Sequence, residues 1–387
     1  MEKYFSGILL VFLTQILTAS AAFAASPLFG PPKAVEAFPK GGLAFSLTVA
    51  DIDHDNRADL LVLDPFGAQV SILKGTQGKS HFGAPAVVKD KALMGARKVD
   101  VLDVDGDGKM DLLVTGEKGL AVLLGDRFTK TFPIPEVPTP RSTVAADVNE
   151  DGMTDLVVAS ADGSLYVLIA QNRKEPKERF SDPKKIPLEG FAEKMVAGDF
   201  NGDKKTDLVL LVHNQNQTVL TAYLGDGNGG FNKEIGGPFS VPNDAVDLVE
   251  GDFNGDGLSD CATSSVQAHA LTVMIGEKDE NWVFRTFTSP ALESPRGATA
   301  GDYNRDGDVD IAVTSAGDKE DVLIIARNDG EANFTFIQEE TFSLGSSGRV
   351  PMGYATMVGT DIDRDGDLDI LVGTDQKNVI LMTNNTR

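Results

Sequence analysis

Short apolar runs and polar turns alternate along the whole chain, and no stretch shows a helical period. One cycle opens with a segment ending in small residues, as in Val49-Ala50, Ala145-Ala146, Ala197-Gly198 and Ala300-Gly301, and runs into an aspartate-rich loop. A β-rich run follows (Leu112–Val114, Leu156–Val158), then a turn (Gly116–Gly119, Ala161–Ser164) and a second apolar run (Leu120–Leu124, Leu165–Ile169). A polar or glycine-rich turn, clearest at Gly225–Gly230, leads to a segment opened by an aromatic residue. Each cycle therefore predicts four short strands. The run after the loop is almost wholly apolar, which suits a strand covered on both faces.

The cycle occurs seven times, about 50 residues apart, a period that belongs to ring or solenoid repeats built from one copied unit. Four strands per unit predict an all-β, seven-bladed β-propeller of four-stranded blades, the small residues lying on the innermost strand where blades converge. The ends favour a closed ring over an open solenoid. The aromatic that opens the fourth strand recurs as Phe82, Phe128, Phe180, Phe231, Phe284 and Phe334, but the seventh cycle stops at Arg387 before supplying one. Leu28-Phe29-Gly30-Pro31-Pro32 resembles His81-Phe82-Gly83-Ala84-Pro85 yet precedes the first cycle. Residues near 28–38 are thus expected to complete the last blade as its N-terminal closing strand.

The loops carry the chemistry. Each reads Asp-x-[Asp/Asn]-x-Asp-x-x-x-Asp, and carboxylates this dense repel one another unless a cation neutralises them. Side-chain oxygens at positions 1, 3, 5 and 9, with a backbone carbonyl at position 7, suit a hard ion, above all Ca²⁺. The first loop offers Asp51, Asp53, Asp55 and Asp59 with the carbonyl of Arg57; the second, Asp103, Asp105, Asp107 and Asp111 with Lys109. The third offers Asp147, Asn149, Asp151 and Asp155 with Met153; the fourth, Asp199, Asn201, Asp203 and Asp207 with Lys205. The fifth offers Asp252, Asn254, Asp256 and Asp260 with Leu258; the sixth, Asp302, Asn304, Asp306 and Asp310 with Asp308. The seventh offers Asp361, Asp363, Asp365 and Asp369 with Asp367. Position 6 must turn with positive φ, for which glycine is suited; Asn56 is tolerable there and Lys204 is poor, so the fourth site is expected to be weaker or strained. EF-hands are excluded by spacing, because position 12 is apolar or Thr and strands follow the loops.

The net charge of −23, from 35 basic and 58 acidic residues, changes meaning in this light. Twenty-four of the acids are loop ligands, and seven divalent cations would leave about −9. No basic stripe suggests nucleic acid. Lys3, the apolar stretch Ile8–Leu17 and Ala22-Phe23-Ala24 read as a secretory leader over residues 1–24, with residues 25–387 forming the propeller. No second apolar segment reaches spanning length, so an exported monomer without a membrane span is expected, in the periplasm, at the cell surface or outside the cell. The lone cysteine, Cys261, falls where other cycles have Leu or Ile, and reads as core.

The loops and the Phe82-Gly83-Ala84-Pro85 segment resemble the FG-GAP or VCBS repeat, the unit of the integrin α-subunit propeller and of many exported bacterial proteins. That resemblance spans residues 28–387 and implies a Ca²⁺-stabilised extracellular binding or adhesion scaffold for protein or glycan, only rarely catalytic. Loops in all seven blades depart from integrin α-subunits, where only some carry them. The four histidines fall at unrelated repeat positions, and no nucleophile elbow, zinc spacing or phosphate loop is present, so no catalytic residue is expected. The alternatives are a propeller-fold enzyme acting on polysaccharide, such as a lyase, and a structural envelope module. Arg97, Arg141 and Arg296 precede their loops by six residues and are candidates for a cationic partial ring that holds acidic ligands; neutralisation of neighbouring acids is the alternative. The connection Ser343–Tyr354 is the longest and least regular, a candidate ligand contact or a plain extension.

Overall fold

The computed structural model describes residues 28–386 except 79–80, 174–177, 215–216, 234–237, 279–281, 317–320 and 343–356. The expected leader and the whole Ser343–Tyr354 connection lie outside the described residues. Seven antiparallel sheets form, six from consecutive strands and the seventh from the first strand and the last three. The inner strands are Ser46–Ala50, Ala96–Leu102, Pro140–Ala146, Phe191–Gly198, Ala245–Gly251, Pro295–Gly301 and Met357–Thr360. Each packs against the inner strand of the next blade, and the last packs against the first, so the ring is closed.

Closure comes from the N-terminus, as the sequence predicts. Strand Lys33–Glu36 pairs antiparallel with Asn378–Met382, Lys33 opposite Leu381 and Glu36 opposite Asn378. It completes a sheet whose other members come from the C-terminal end, so the chain's two ends are joined by backbone hydrogen bonds. The fourth blade departs from the plan: Phe231–Lys233 and Phe239–Val241 both pair with Thr218–Gly225, so its outer strand is in two pieces.

The second strand of every blade, such as Asp59–Asp64 or Asp155–Ser160, is buried on both faces, whereas outer strands such as Ala86–Lys89 are mostly exposed. Apolar side chains gather in seven clusters, each between two neighbouring blades. Cys261 is one of these core residues, fully buried as a free thiol. Each cluster also takes an aromatic from beside the outer strand of the next blade: Phe29, Phe82, Phe128, Phe180, Phe231, Trp282 or Phe334. Here the structure corrects the sequence reading. In the fifth blade the place belongs to Trp282, and Phe284, two residues on, stacks instead on Phe239 at 4.0 Å between centroids. Several of these aromatics precede the outer strand instead of opening it; Phe82 and Phe180 make isolated bridges, and Phe128 caps a 3₁₀ turn with φ 52°.

Candidate metal centres

Each loop joins an inner strand to the second strand, so all seven lie on one face of the ring. Four backbone hydrogen bonds repeat in every loop. Oδ2 of the position-1 Asp accepts from the position-6 amide, at 2.8 Å for Asn56 and 3.1 Å for Gly366. Oδ1 of the position-5 Asp accepts from the position-7 amide, at 2.9 Å for Lys109 and 2.8 Å for Leu258. The position-9 Asp accepts twice. Its Oδ2 takes the position-2 amide and its Oδ1 an amide at the end of the third strand, as Asp155 does from Val148 (3.0 Å) and Ala170 (2.6 Å).

Two left-handed residues make the turn. Position 6 has positive φ throughout, from 62° at Asn56 to 95° at Gly307, and Lys204 adopts 68°. Position 4 does the same, a requirement that sequence reading misses: His54, Glu150, Arg305 and Arg364 all have φ near 60°. Glycine at this place in the other three loops is the available signal. Position 2 is missed as well. Ile52, Val104, Val148, Phe200, Phe253, Tyr303 and Ile362 each turn into the cluster between their blade and the next.

The position-9 carboxylates are 0 or 1 % exposed, and that burial pushes Asp207 and Asp310 up to about 6 and Asp260 and Asp369 up to about 7. Positions 1, 3 and 5 are more open. Carboxylate oxygens of Asp51, Asp53 and Asp59, of Asp103, Asp105 and Asp111, of Asp199, Asp203 and Asp207, and of Asp361, Asp363 and Asp365 come within 4.8 Å of one another. Such all-oxygen groups fit a hard divalent cation. Position 3 is Asn in the third to sixth loops, and in the third, fifth and sixth its amide donates to the position-5 carboxylate, at 3.0 Å from Asn149 to Asp151 and 2.7 Å from Asn304 to Asp306. One charge fewer leaves one repulsion fewer there. Basic side chains also meet the loops: Lys74 reaches Asp53 at 2.7 Å, Arg57 Asp55 at 2.8 Å and Arg305 Asp367 at 2.9 Å.

The three arginines lie at the opposite end of the inner strands, where each is the extra residue of a β-bulge. A bulge leaves its residue outside the ladder and re-aims the side chain. Arg97 and Arg141 converge on Glu193, the bulge residue of the fourth blade, at 2.7 and 3.4 Å. Lys194 meets Asp247 of the fifth blade at 3.1 Å. The structure thus brings two of the three arginines together through an acid from a third repeat, while Arg296 stands in the sixth blade.

A family model for the FG-GAP-like repeat matches residues 103–158, 147–210, 199–263, 252–313 and 302–372. Together these windows run over more than half of the chain, and the protein belongs to the FG-GAP-like repeat family. No curated protein matches it in sequence. Among solved structures, it is similar to BBS1N in complex with ARL6DN (TM-score 0.60, 11 % identity, 93 % of this chain and 98 % of that one). It is also similar to an Agrocybe aegerita lectin that recognises non-reducing terminal N-acetylglucosamine (0.55, 18 %, 78 % and 82 %). A catalytically inactive virginiamycin B lyase from Staphylococcus aureus with quinupristin is a third (0.57, 12 %, 92 % and 99 %). At these identities the likeness is one of fold. No helix among the described residues is long and apolar enough to cross a membrane.

Proposed function

We propose that the protein is an exported calcium-binding β-propeller, a non-catalytic scaffold that presents a binding surface to protein or glycan. The observation that carries the reading is the loop template, which keeps the same oxygen positions and the same hydrogen bonds in all seven blades. Function that depends on a single reactive constellation would differentiate one loop from the rest; uniform loops serve the ring as a whole. Ca²⁺ would supply positive charge among the side-chain oxygens of positions 1, 3, 5 and 9 and hold them in the turn. The chain's own part is to anchor position 9 and position 2 in the core, so that each loop is fixed to its blade before any ion arrives.

Variation is concentrated on the other face, where bulges carry Arg97, Arg141, Glu193, Val246 and Arg296 and where the connections between blades differ in length. Ligand recognition belongs to that face in this reading. Solved neighbours include a propeller in complex with a protein and a lectin, which agrees with a fold that serves as a platform. The test is to expose the calcium-loaded chain to arrays of extracellular proteins and glycans and to polysaccharide substrates. Saturable binding without product is expected; release of unsaturated sugar would replace the scaffold with a lyase.

A further inference from the structure

On the face opposite the loops, a cavity of about 380 Å³ opens between the fourth and fifth blades, lined by Glu193, His213, Asn243, Val246, Val266 and Gln267. Asp244 lines it too. These residues come from five places: the bulges of two neighbouring inner strands, the end of a buried strand, the link between blades, and the turn after the next buried strand. None of them belongs to a metal loop.

Both carboxylates at this cavity are held from within the chain. Arg97 and Arg141 hold Glu193, and the Gln267 backbone amide donates to Asp244. His213 is set by a relay. The Thr218 hydroxyl donates to the Asn243 carbonyl at 3.0 Å, so its oxygen accepts from His213 Nδ1, also at 3.0 Å. The proton therefore sits on Nδ1, and in the neutral ring Nε2 is an acceptor. Burial lowers the pKa of His213 and keeps the ring neutral at pH 7. Beside it Phe191, 37 % exposed, lies 5.6 Å from the imidazole between centroids and carries Arg141 over its ring at 5.9 Å.

Two carboxylates, one of them salt-bridged, a neutral imidazole acceptor and two amide side chains meet hydroxyl groups, which both donate and accept. Val246, Val266 and the Phe191 rim offer apolar surface to ring C–H groups. An anion would meet the Glu193 and Asp244 carboxylates, and a wholly apolar ligand would strand the polar groups. We infer that this cavity holds one neutral sugar residue of a glycan chain. The inference rests on the scaffold reading and adds to it a place and a ligand class.

The experiment is a glycan array carrying neutral, sialylated and sulfated oligosaccharides, probed with the full calcium-loaded chain and with Gln267→Ala and Val246→Trp. Gln267 is exposed, so its truncation leaves the fold intact, and the tryptophan fills the cavity. The expected result is binding to a neutral glycan that weakens at least tenfold in both variants while their thermal midpoints match the wild type. If Val246→Trp does not fold, Gln267→Ala decides alone. Neutral-glycan binding undiminished in the variants would overturn the cavity and leave the scaffold reading intact. Binding confined to sialylated or sulfated glycans would overturn it equally. A chain that binds no glycan overturns the sugar site, and the scaffold reading falls as well only if a protein array is blank too.

Discussion

Asp155 and Asp107 have different work although both stand in the same motif. Asp155 is buried and accepts two backbone amides; Asp107 is exposed and accepts one, from Lys109. Asp155→Ala strands two buried donors and should cost about 2–5 kcal/mol even in chelator, and more in calcium. Asp107→Ala should cost no more than about 0.5 kcal/mol in chelator and clearly more in calcium, by chemical denaturation under both conditions. Lys204 holds a left-handed backbone at a cost in strain, so Lys204→Gly should raise stability by about 0.5–1 kcal/mol, read as a higher Tm. The buried position-9 acids also set a pH response. With folded-state values of about 6 to 7 for Asp207, Asp260, Asp310 and Asp369 against an ordinary value near 3.9, the metal-free fold holds more protons than the unfolded chain between about pH 4 and 7. In chelator the Tm should therefore fall as pH rises from 5 to 8. A rise over that interval would contradict the burial argument.

Between elements, the fit is tight where an inner strand ends against the loop of the next blade. A Cβ on Gly198 would lie 2.2 Å from Ser259 Oγ, and one on Gly301 2.4 Å from Leu368 Cδ1, each the eighth residue of the following loop. Small residues before the loops therefore serve blade-to-blade contact, a more specific reason than crowding at the axis. At Gly359 the obstacle is the Tyr303 hydroxyl, 2.3 Å from the point where a Cβ would stand. Gly359→Ala should cost about 1–3 kcal/mol, and adding Tyr303→Phe should recover part of it; equal loss in the single and double variants would dismiss the contact. Much of this level is legible in the sequence. Seven aspartate spacings mark the loops because ligand spacing is local, and alternation of runs and turns marks the strands. Sequence alone picks Phe284 over Trp282 because the two lie two residues apart, on the same side of an extended strand. The Arg97–Glu193–Arg141 clamp is hidden for another reason: Glu193 sits nearly a hundred residues from Arg97, and only the side-by-side packing of three successive inner strands brings them together.

For the whole molecule, closure and charge are the two quantities that matter. Deleting residues 28–36 removes the strand that pairs with Asn378–Met382 and leaves that edge open. The expected outcome is lower thermal stability and concentration-dependent association by size-exclusion chromatography. Charge is concentrated on one face, in loops that fit divalent cations, while the other face carries the bulges and connections that vary. On the proposed reading, the metal is a part of the ring's architecture. The most direct test is calcium stoichiometry by equilibrium dialysis, with thermal unfolding of the same samples in calcium and in chelator. Close to seven calcium ions per chain are expected, one fewer in Asp107→Ala, with a markedly lower Tm in chelator. A chain that binds no calcium, with the same Tm in both solutions, would contradict a metal-held ring.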